Sequence, residues 1–437
     1  MILGGGVAGL AAGSVLGDRA VVLERELRPG GLVRSECFDG WWFDRVLHLL
    51  HTQDPAVERR LHELVPVLSP CPPDAWVHTE GGVVRYPFQM HLHGLPTELV
   101  ARCLRDLAAA TFGARQDAAH FEEMLLATFG EGMCEAFLFP YNQKVWKRPL
   151  SELAPSGFQW TITHPDFGEV LRGALEPDSE FASYNQNGWY PRPPAGAPLR
   201  GMEVLSSALA ARVADLRLGT EVVGIHLARR EVTVAREAST RVLRWRRACL
   251  TTLPMPLTVS LTADAPETLA ADCRRLRRNR VRSVALSIRG PRPNLGCWRY
   301  FSDPALVFNR LIFMHAFDPL TAPPEGWGLL AEITERGEDS PTPEAALLAR
   351  VREDVARTGL LPTGCEVLAC NTMEIDPAYV VFSTESAGIL ERTRRYLESR
   401  GVFPLGRYGR WEYSSMAQVI NDGWSIGEHL ARGGELP

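Results

Sequence analysis

The residues best equipped for chemistry stand at the head of the chain, where Gly4-Gly5-Gly6-Val7-Ala8-Gly9 spaces three glycines as G-x-G-x-x-G. The first glycine permits a tight turn, the second lets the backbone approach a pyrophosphate, and the third lets a helix lie close against a strand. Amides exposed at the start of the following helix then face the phosphate charge. Residues 1–3 read as a short first strand, 10–16 as a helix of small residues, and 20–24 as a second strand. Glu24, at the end of that strand, is placed to accept hydrogen bonds from ribose hydroxyls. A strand, turn, helix and strand ending in an acid predict dinucleotide binding. The first strand reads a few residues short, which points to a start codon upstream.

Lysine usage is a second signal. Of 47 basic residues only Lys144 and Lys147 are lysines, and both lie in one short segment. In a chain that otherwise uses arginine, this predicts a specific need for a compact ammonium; two chance survivors of a coding bias are the alternative. The nine cysteines are scattered and form no CxxC, so they read as free thiols without a disulfide framework or zinc site. His48-x-x-His51 and His91-x-His93 lack the neighbouring cysteines or HExxH pattern of a metal site, and no metal is expected.

The elements that must position these residues fit a chain of 437 residues, long enough for two or three domains. A hydrophobic content of 45% with 23% charged residues is ordinary for a globular protein. The net charge of −5 gives no reason to expect nucleic acid. No apolar run approaches the ~18 residues of a membrane span, and no leader precedes the glycines, so a cytoplasmic location is expected. Composition shifts between 86 and 194, with helices expected at 96–110 and 121–137. A proline-rich stretch at 191–198 reads as a crossing back to the first domain. A helix at 202–214, strands at 220–225, 232–234 and 248–254, and a closing helix ending at Leu430 complete the outline. The arginine-rich run from Arg274 to Arg280 reads as a solvated helix face.

Pro29-Gly30-Gly31-Leu32-Val33-Arg34-Ser35, directly after the second strand, resembles the second fingerprint of the flavin amine oxidase superfamily, which includes protoporphyrinogen-oxidase-like and UDP-galactopyranose-mutase-like proteins. The segments 43–52, 86–89, 139–146, 308–310 and 406–416 are similar to further segments of that superfamily. The resemblance implies FAD as cofactor and an α/β fold. A Rossmann-type FAD-binding domain would be assembled from 1–85, 195–265 and 385–437, and a mixed α+β substrate domain from 86–194 and 266–384. It implies cofactor contacts from Gly4, Gly6, Val7, Ala8, Gly9, Glu24, Arg25, Gly30, Gly31, Leu32, Arg34, His48, Val223, Thr252, Gly406, Arg407, Tyr413, Ser415 and Met416. The Met416 amide would meet the pyrimidine end of the flavin. Substrate would be walled by Phe88, Tyr141, Trp146, Trp160, Tyr190 and Arg310, with His48, Lys144 and Arg310 as catalytic candidates. One departure stands out: Val46 and Leu47 precede His48, where the superfamily usually has glycines. Branched side chains there predict a stiffer loop and a narrower flavin face.

Three functions stay open at this stage. One is an oxidoreductase in which flavin N5 takes a hydride from a small molecule, for instance an amine. Another is a nucleotide-sugar mutase in which reduced flavin acts as a nucleophile. That chemistry calls for two arginines on a diphosphate; Arg310 matches one, residues 161–167 hold no second, and Arg172 is a substitute. The third is a non-catalytic FAD-binding protein.

Overall fold

The computed structural model describes residues 1–114, 117–156, 164–179, 181, 187–434 and 436. Short apolar segments from distant parts of the chain converge on a five-stranded parallel sheet. Its order is Leu216–Arg217, Val22–Leu23, Ile2–Leu3, Cys249–Thr251 and Val402–Pro404. Ile2, Leu3, Val22, Leu23, Cys249 and Leu250 are all buried, as strands covered on both faces require.

The helices Val7–Leu16 and Met416–Ala431 pack closely because glycine removes side chains at their crossing. A Cβ on Gly423 would come within 2.4 Å of the Ala8 carbonyl oxygen, and one on Gly427 within 3.0 Å of that of Ala12. This pairs the first and last helices of the chain.

A second sheet of seven strands runs Glu366–Val381, Arg277–Arg289, Gly326–Arg336, Arg310–Phe313, Trp298–Phe301, Ala75–Thr79 and Gly82–Arg85. It is antiparallel except where Trp298–Phe301 runs parallel to Ala75–Thr79. The strands Ala75–Thr79 and Gly82–Arg85 fall inside the first piece expected for the cofactor domain, yet they hydrogen-bond into this second sheet. Its register places Tyr300 opposite Arg310 and Arg310 opposite Glu332, so three side chains form one row across three strands.

Helices Thr97–Phe112, Phe121–Met133 and Phe139–Trp146 form a third region. The single helix expected at 121–137 is interrupted. Gly130 leaves helical geometry at φ +73°, and Cys134–Leu138 forms a π-helical turn. The cause is a close crossing, since a Cβ on Gly130 would lie 2.4 Å from Asp106 backbone. The arginine run is also corrected. Its helix, Glu267–Arg274, ends early and Arg277–Arg289 is a strand, in which Arg280 is buried among Glu335, Glu374 and Asp376. Among the described residues no helix is long and apolar enough to cross a membrane, and no group of three or more His, Cys, Asp or Glu residues could hold a metal ion.

Candidate cofactor cradle and substrate cleft

The glycine turn is built as its spacing demands. Gly4 has φ +103°, and a Cβ there would sit 2.1 Å from Thr252 Oγ1, which donates to the Leu3 carbonyl at 3.0 Å. A Cβ on Gly9 would strike the Gly4 carbonyl at 2.1 Å, whereas one on Gly6 would meet nothing within 4 Å. Open space therefore lies in front of the helix beginning at Val7, whose N-cap is Gly6, with no capping side chain and no acid in its first turn. The amides of Val7, Ala8 and Gly9 have no intrahelical acceptor and can bind an anion.

The second glycine turn lies beside the first. Gly30 donates to the Gly5 carbonyl at 2.8 Å and bridges to Gly6. Gly30 and Gly31 have φ +114° and +58°, a conformation that side chains disfavour. Leu32 is half-buried against the cluster of Val281, Ile375 and Ala378. Arg34 is largely buried, its Nε has no hydrogen-bond partner, and Glu26 lies 3.8 Å from its guanidinium. An orphaned buried guanidinium nitrogen beside two glycine turns fits a diphosphate.

Glu24 is buried and holds the turn. Its carboxylate accepts from Gly5 N at 2.7 Å and Glu26 N at 2.9 Å. The neighbouring Arg25 side chain is 63% exposed and pairs only loosely with Glu26. Val223 sits where the Glu221–His226 strand shifts register between Val222 and Gly224, and its side chain is exposed. At the other end, Gly406 (φ +72°) approaches Ala8, where a Cβ would come within 2.7 Å of the Ala8 Cβ. Ser415 caps the last helix by accepting from Gln418 N at 3.2 Å, which leaves Met416 as its first residue with a free amide. Two glycine turns, an uncapped helix start, an orphaned arginine and a buried acid together fit FAD.

Beyond this cradle lies a cluster of aromatic rings and arginines. Arg310 Nε donates to Glu332 Oε2 at 2.8 Å, and its terminal nitrogen donates to the same oxygen. The buried Glu332 uses its other oxygen to accept the Leu47 amide at 2.6 Å. Tyr300 lies 5.7 Å beneath the Arg310 guanidinium and contacts Tyr141 and Tyr86 at centroid distances of 5.4 and 5.1 Å. Tyr379 and Tyr413 both meet Trp146, at 6.0 and 5.9 Å. Arg407 lies 4.6 Å above Tyr413, donates to the Ala378 carbonyl at 3.2 Å, and keeps a buried Nε without a partner. Burial, then the charges of Arg407, Arg310 and Arg45, pull the His48 imidazole down to about 3. His48 is therefore neutral at physiological pH, and its buried Nδ1 is unpartnered.

Three expected site residues lie elsewhere, and a fourth, Trp160, lies outside the described residues. Phe88 is fully buried in the helical region, against Phe137 at 5.1 Å. Tyr190 is a buried strut whose hydroxyl donates to Asp44 at 2.8 Å. Asp44 also accepts from Ser35 and Met202, and burial pushes its carboxyl up to about 6. Lys144 is turned from the rings toward the carbonyls of Phe301 (3.2 Å) and Asp303 (2.6 Å). It lines a separate cavity with Lys147 and Arg350, where burial and Lys147 lower it to about 7. The substitute Arg172 is exposed on the helix Phe167–Leu175.

Sequence reasoning missed Tyr300, Glu332, Tyr379 and Arg45. Glu332 carries no local motif, and only the sheet register sets it beside Arg310.

The pattern of the family described as flavin containing amine oxidoreductase matches residues 7–358. Among solved structures, a reduced UDP-galactopyranose mutase is similar over 99% of this chain and 93% of its own, at 21% identity and a TM-score of 0.90. A putative protoporphyrinogen oxidase from Exiguobacterium sp. 255-15 covers 99% and 98%, at 16% identity and a TM-score of 0.71. Cyclohexylamine oxidase from Brevibacterium oxydans IH-35A covers 99% and 98%, at 14% and 0.66. The chain thus belongs to the flavin-containing amine oxidoreductase family, with FAD as its cofactor.

Proposed function

We propose that this protein is an FAD-dependent oxidoreductase that oxidises a small molecule carrying no diphosphate, held in the Tyr141–Tyr300–Tyr379–Trp146 cleft. The five-stranded sheet is taken as the core of the cofactor domain and the seven-stranded sheet as that of the substrate domain. When bound, FAD supplies a two-electron acceptor at its N5.

The observation that carries this reading is the Arg310–Glu332 pair. A diphosphate clamp needs an uncompensated guanidinium, and a buried carboxylate already neutralises this one. The second clamp arginine is absent from 161–167, and Arg172 is exposed. The remaining walls are aromatic, suited to orienting a partly apolar substrate. The cationic surroundings of His48 disfavour a protonated amine, so an amine substrate would enter as the neutral base. His48, being neutral, can hydrogen-bond to substrate or flavin but is a weak general base.

The second reading, a nucleotide-sugar mutase, is favoured by the whole-chain similarity to the reduced mutase and by the position of Arg310. Anaerobic mixing separates the two. A panel of neutral amines, alcohols and cyclic hydrocarbons should contain a compound that bleaches the oxidised flavin. Turnover of UDP-galactopyranose after dithionite reduction, with no net change in flavin, would sink the oxidoreductase proposal. A colourless protein that cannot be reconstituted with FAD would sink both. Glu332→Gln frees Arg310 and should tighten UDP binding about tenfold by calorimetry, because a charge-assisted contact is worth roughly 1.5 kcal/mol.

A further inference from the structure

A cavity of about 470 Å³ lies between the helix Phe139–Trp146, the loop after the strand Trp298–Phe301 and the helix Glu344–Arg357. None of its lining residues belongs to the flavin cradle or the aromatic cluster. Both lysines of the chain line it, with Gln143 and Arg350, and no carboxylate is among the lining residues. The first helix has two working faces. Pro140, Gln143, Lys144 and Lys147 recur at i, i+3, i+4 and i+7 and line the cavity. Tyr141 and Trp146 meet Tyr300 and Tyr413 in the aromatic cluster instead.

Lysines at a helix C-terminus ordinarily serve its free carbonyls. Here the Val145 and Trp146 carbonyls accept from Asn279 Nδ2 at 3.0 and 2.9 Å, and that of Gln143 accepts the Lys147 amide at 2.8 Å. The half-buried Lys147 side chain makes no hydrogen bond or ion pair with the described residues. Glu335, whose charge acts on it, lies instead at 3.6 and 3.8 Å from Arg280 and Arg282. Lys144 is buried and bonds only to backbone carbonyls, which leave its charge unneutralised. The carboxylates nearby are engaged. Asp303 accepts the Ala305 amide at 2.8 Å, and the buried Asp354 accepts from Val307 N, Arg350 and Arg357 at 2.7, 2.8 and 3.1 Å. Arg350 gives one terminal nitrogen to the Ala305 carbonyl and keeps the other without a partner among the described residues.

We propose that this cavity binds a small phosphate monoester, with the dianion held by Lys144, Lys147 and Arg350, at a site separate from the flavin. Its polar side presents two ammonium groups, a guanidinium and an amide, and the three terminal oxygens of a phosphate monoester can accept from several of these at once. A carboxylate has fewer acceptor positions and half the charge. Pro140, Pro304, Leu306 and Val307 supply an apolar wall for the organic part. The volume falls in the range of small-molecule sites, which a bare phosphate would leave largely empty. Burial and the charge of Lys147 lower Lys144 to about 7, and a dianion between the two lysines offsets that repulsion.

FAD-loaded protein, whose cradle is already filled, should bind phenyl phosphate in calorimetry near neutral pH. Lys147→Gln removes a charge that has no protein partner and should weaken binding about tenfold. Lys144→Gln should weaken it at least as much, with FAD content reporting the folding of each variant. Pyridoxal 5′-phosphate, an anionic aldehyde, followed by borohydride should label Lys144 or Lys147, and phenyl phosphate should suppress the label. Peptide mapping reads this cleanly, because the two lysines and the N-terminus are the only aliphatic amines of the chain. No binding to the wild-type protein, equal affinity in Lys147→Gln, or labelling confined to the Met1 amine would overturn the proposal. So would benzoate binding as tightly as phenyl phosphate. These outcomes stand whether or not the flavin oxidises a substrate.

Discussion

Glu24 shows how one side chain serves two structures. Its carboxylate clamps the amides of Gly5 and Glu26 and so shapes the turn that faces the phosphates, while its remaining lone pairs are free for ribose hydroxyls. Glu24→Ala should weaken FAD retention about tenfold or more, since a buried amide on Gly5 loses its acceptor; flavin occupancy after dialysis reads this directly. His48 makes a prediction about pH. Its folded value, about 3, lies below the unfolded value of 6.5. Between those limits the unfolded state binds a proton that the folded state does not, so stability falls as pH falls through this window. Asp44, raised from 3.8 to about 6, acts in the opposite sense between those values. His48→Gln should therefore make the acid limb shallower by ~1.4 kcal/mol per pH unit. Urea unfolding at several pH values between 3 and 6.5 measures the slope, and an unchanged slope would contradict the buried, neutral imidazole.

Among the elements, the helix Met416–Ala431 sits close enough to Val7–Leu16 to help place the phosphate-binding turn. Gly423→Val introduces atoms where a Cβ already lies 2.4 Å from the Ala8 carbonyl. The cost should be about 2–3 kcal/mol in thermal unfolding, with FAD loss following, because overpacking displaces the first helix. Gly388 is the contrasting case. It is exposed in the helix Ser386–Glu398, and its Cβ would meet only the flexible end of Arg392. Gly388→Ala should raise stability by ~0.5–1 kcal/mol.

For the molecule as a whole, the cradle draws on residues at both chain ends and on the Thr252 region between them. FAD binding is thus linked to folding. Protein with FAD at a hundredfold above its dissociation constant should be more stable than apoprotein by about 2.7 kcal/mol. Calorimetry on stripped and reconstituted samples tests this, and equal melting temperatures would mean that the cofactor does not join these segments. The buried Glu332 joins the large sheet to the Leu47 loop beside His48. In that loop Leu47 is held by this hydrogen bond, and Val46 packs against the buried cluster of Val281, Ile375 and Ala378.

What the sequence determined by itself was the local chemistry that spacing enforces. The turn at Gly4–Gly9 and the acid at Glu24 are each settled by residues within about one turn or strand, because backbone sterics and helix-end amides act over a few residues. The family resemblance extended this to FAD and the fold. Tertiary structure decided the cleft. Phe88 and Tyr190 had the right composition for a substrate wall but lie in the core, and Lys144 turned away from the rings. Arg310 lost its free charge to Glu332 because strand register, set by the burial of whole sheet faces, brings distant residues into one row. The glycine turns say that a dinucleotide binds; that row across three strands bears on which substrate meets it.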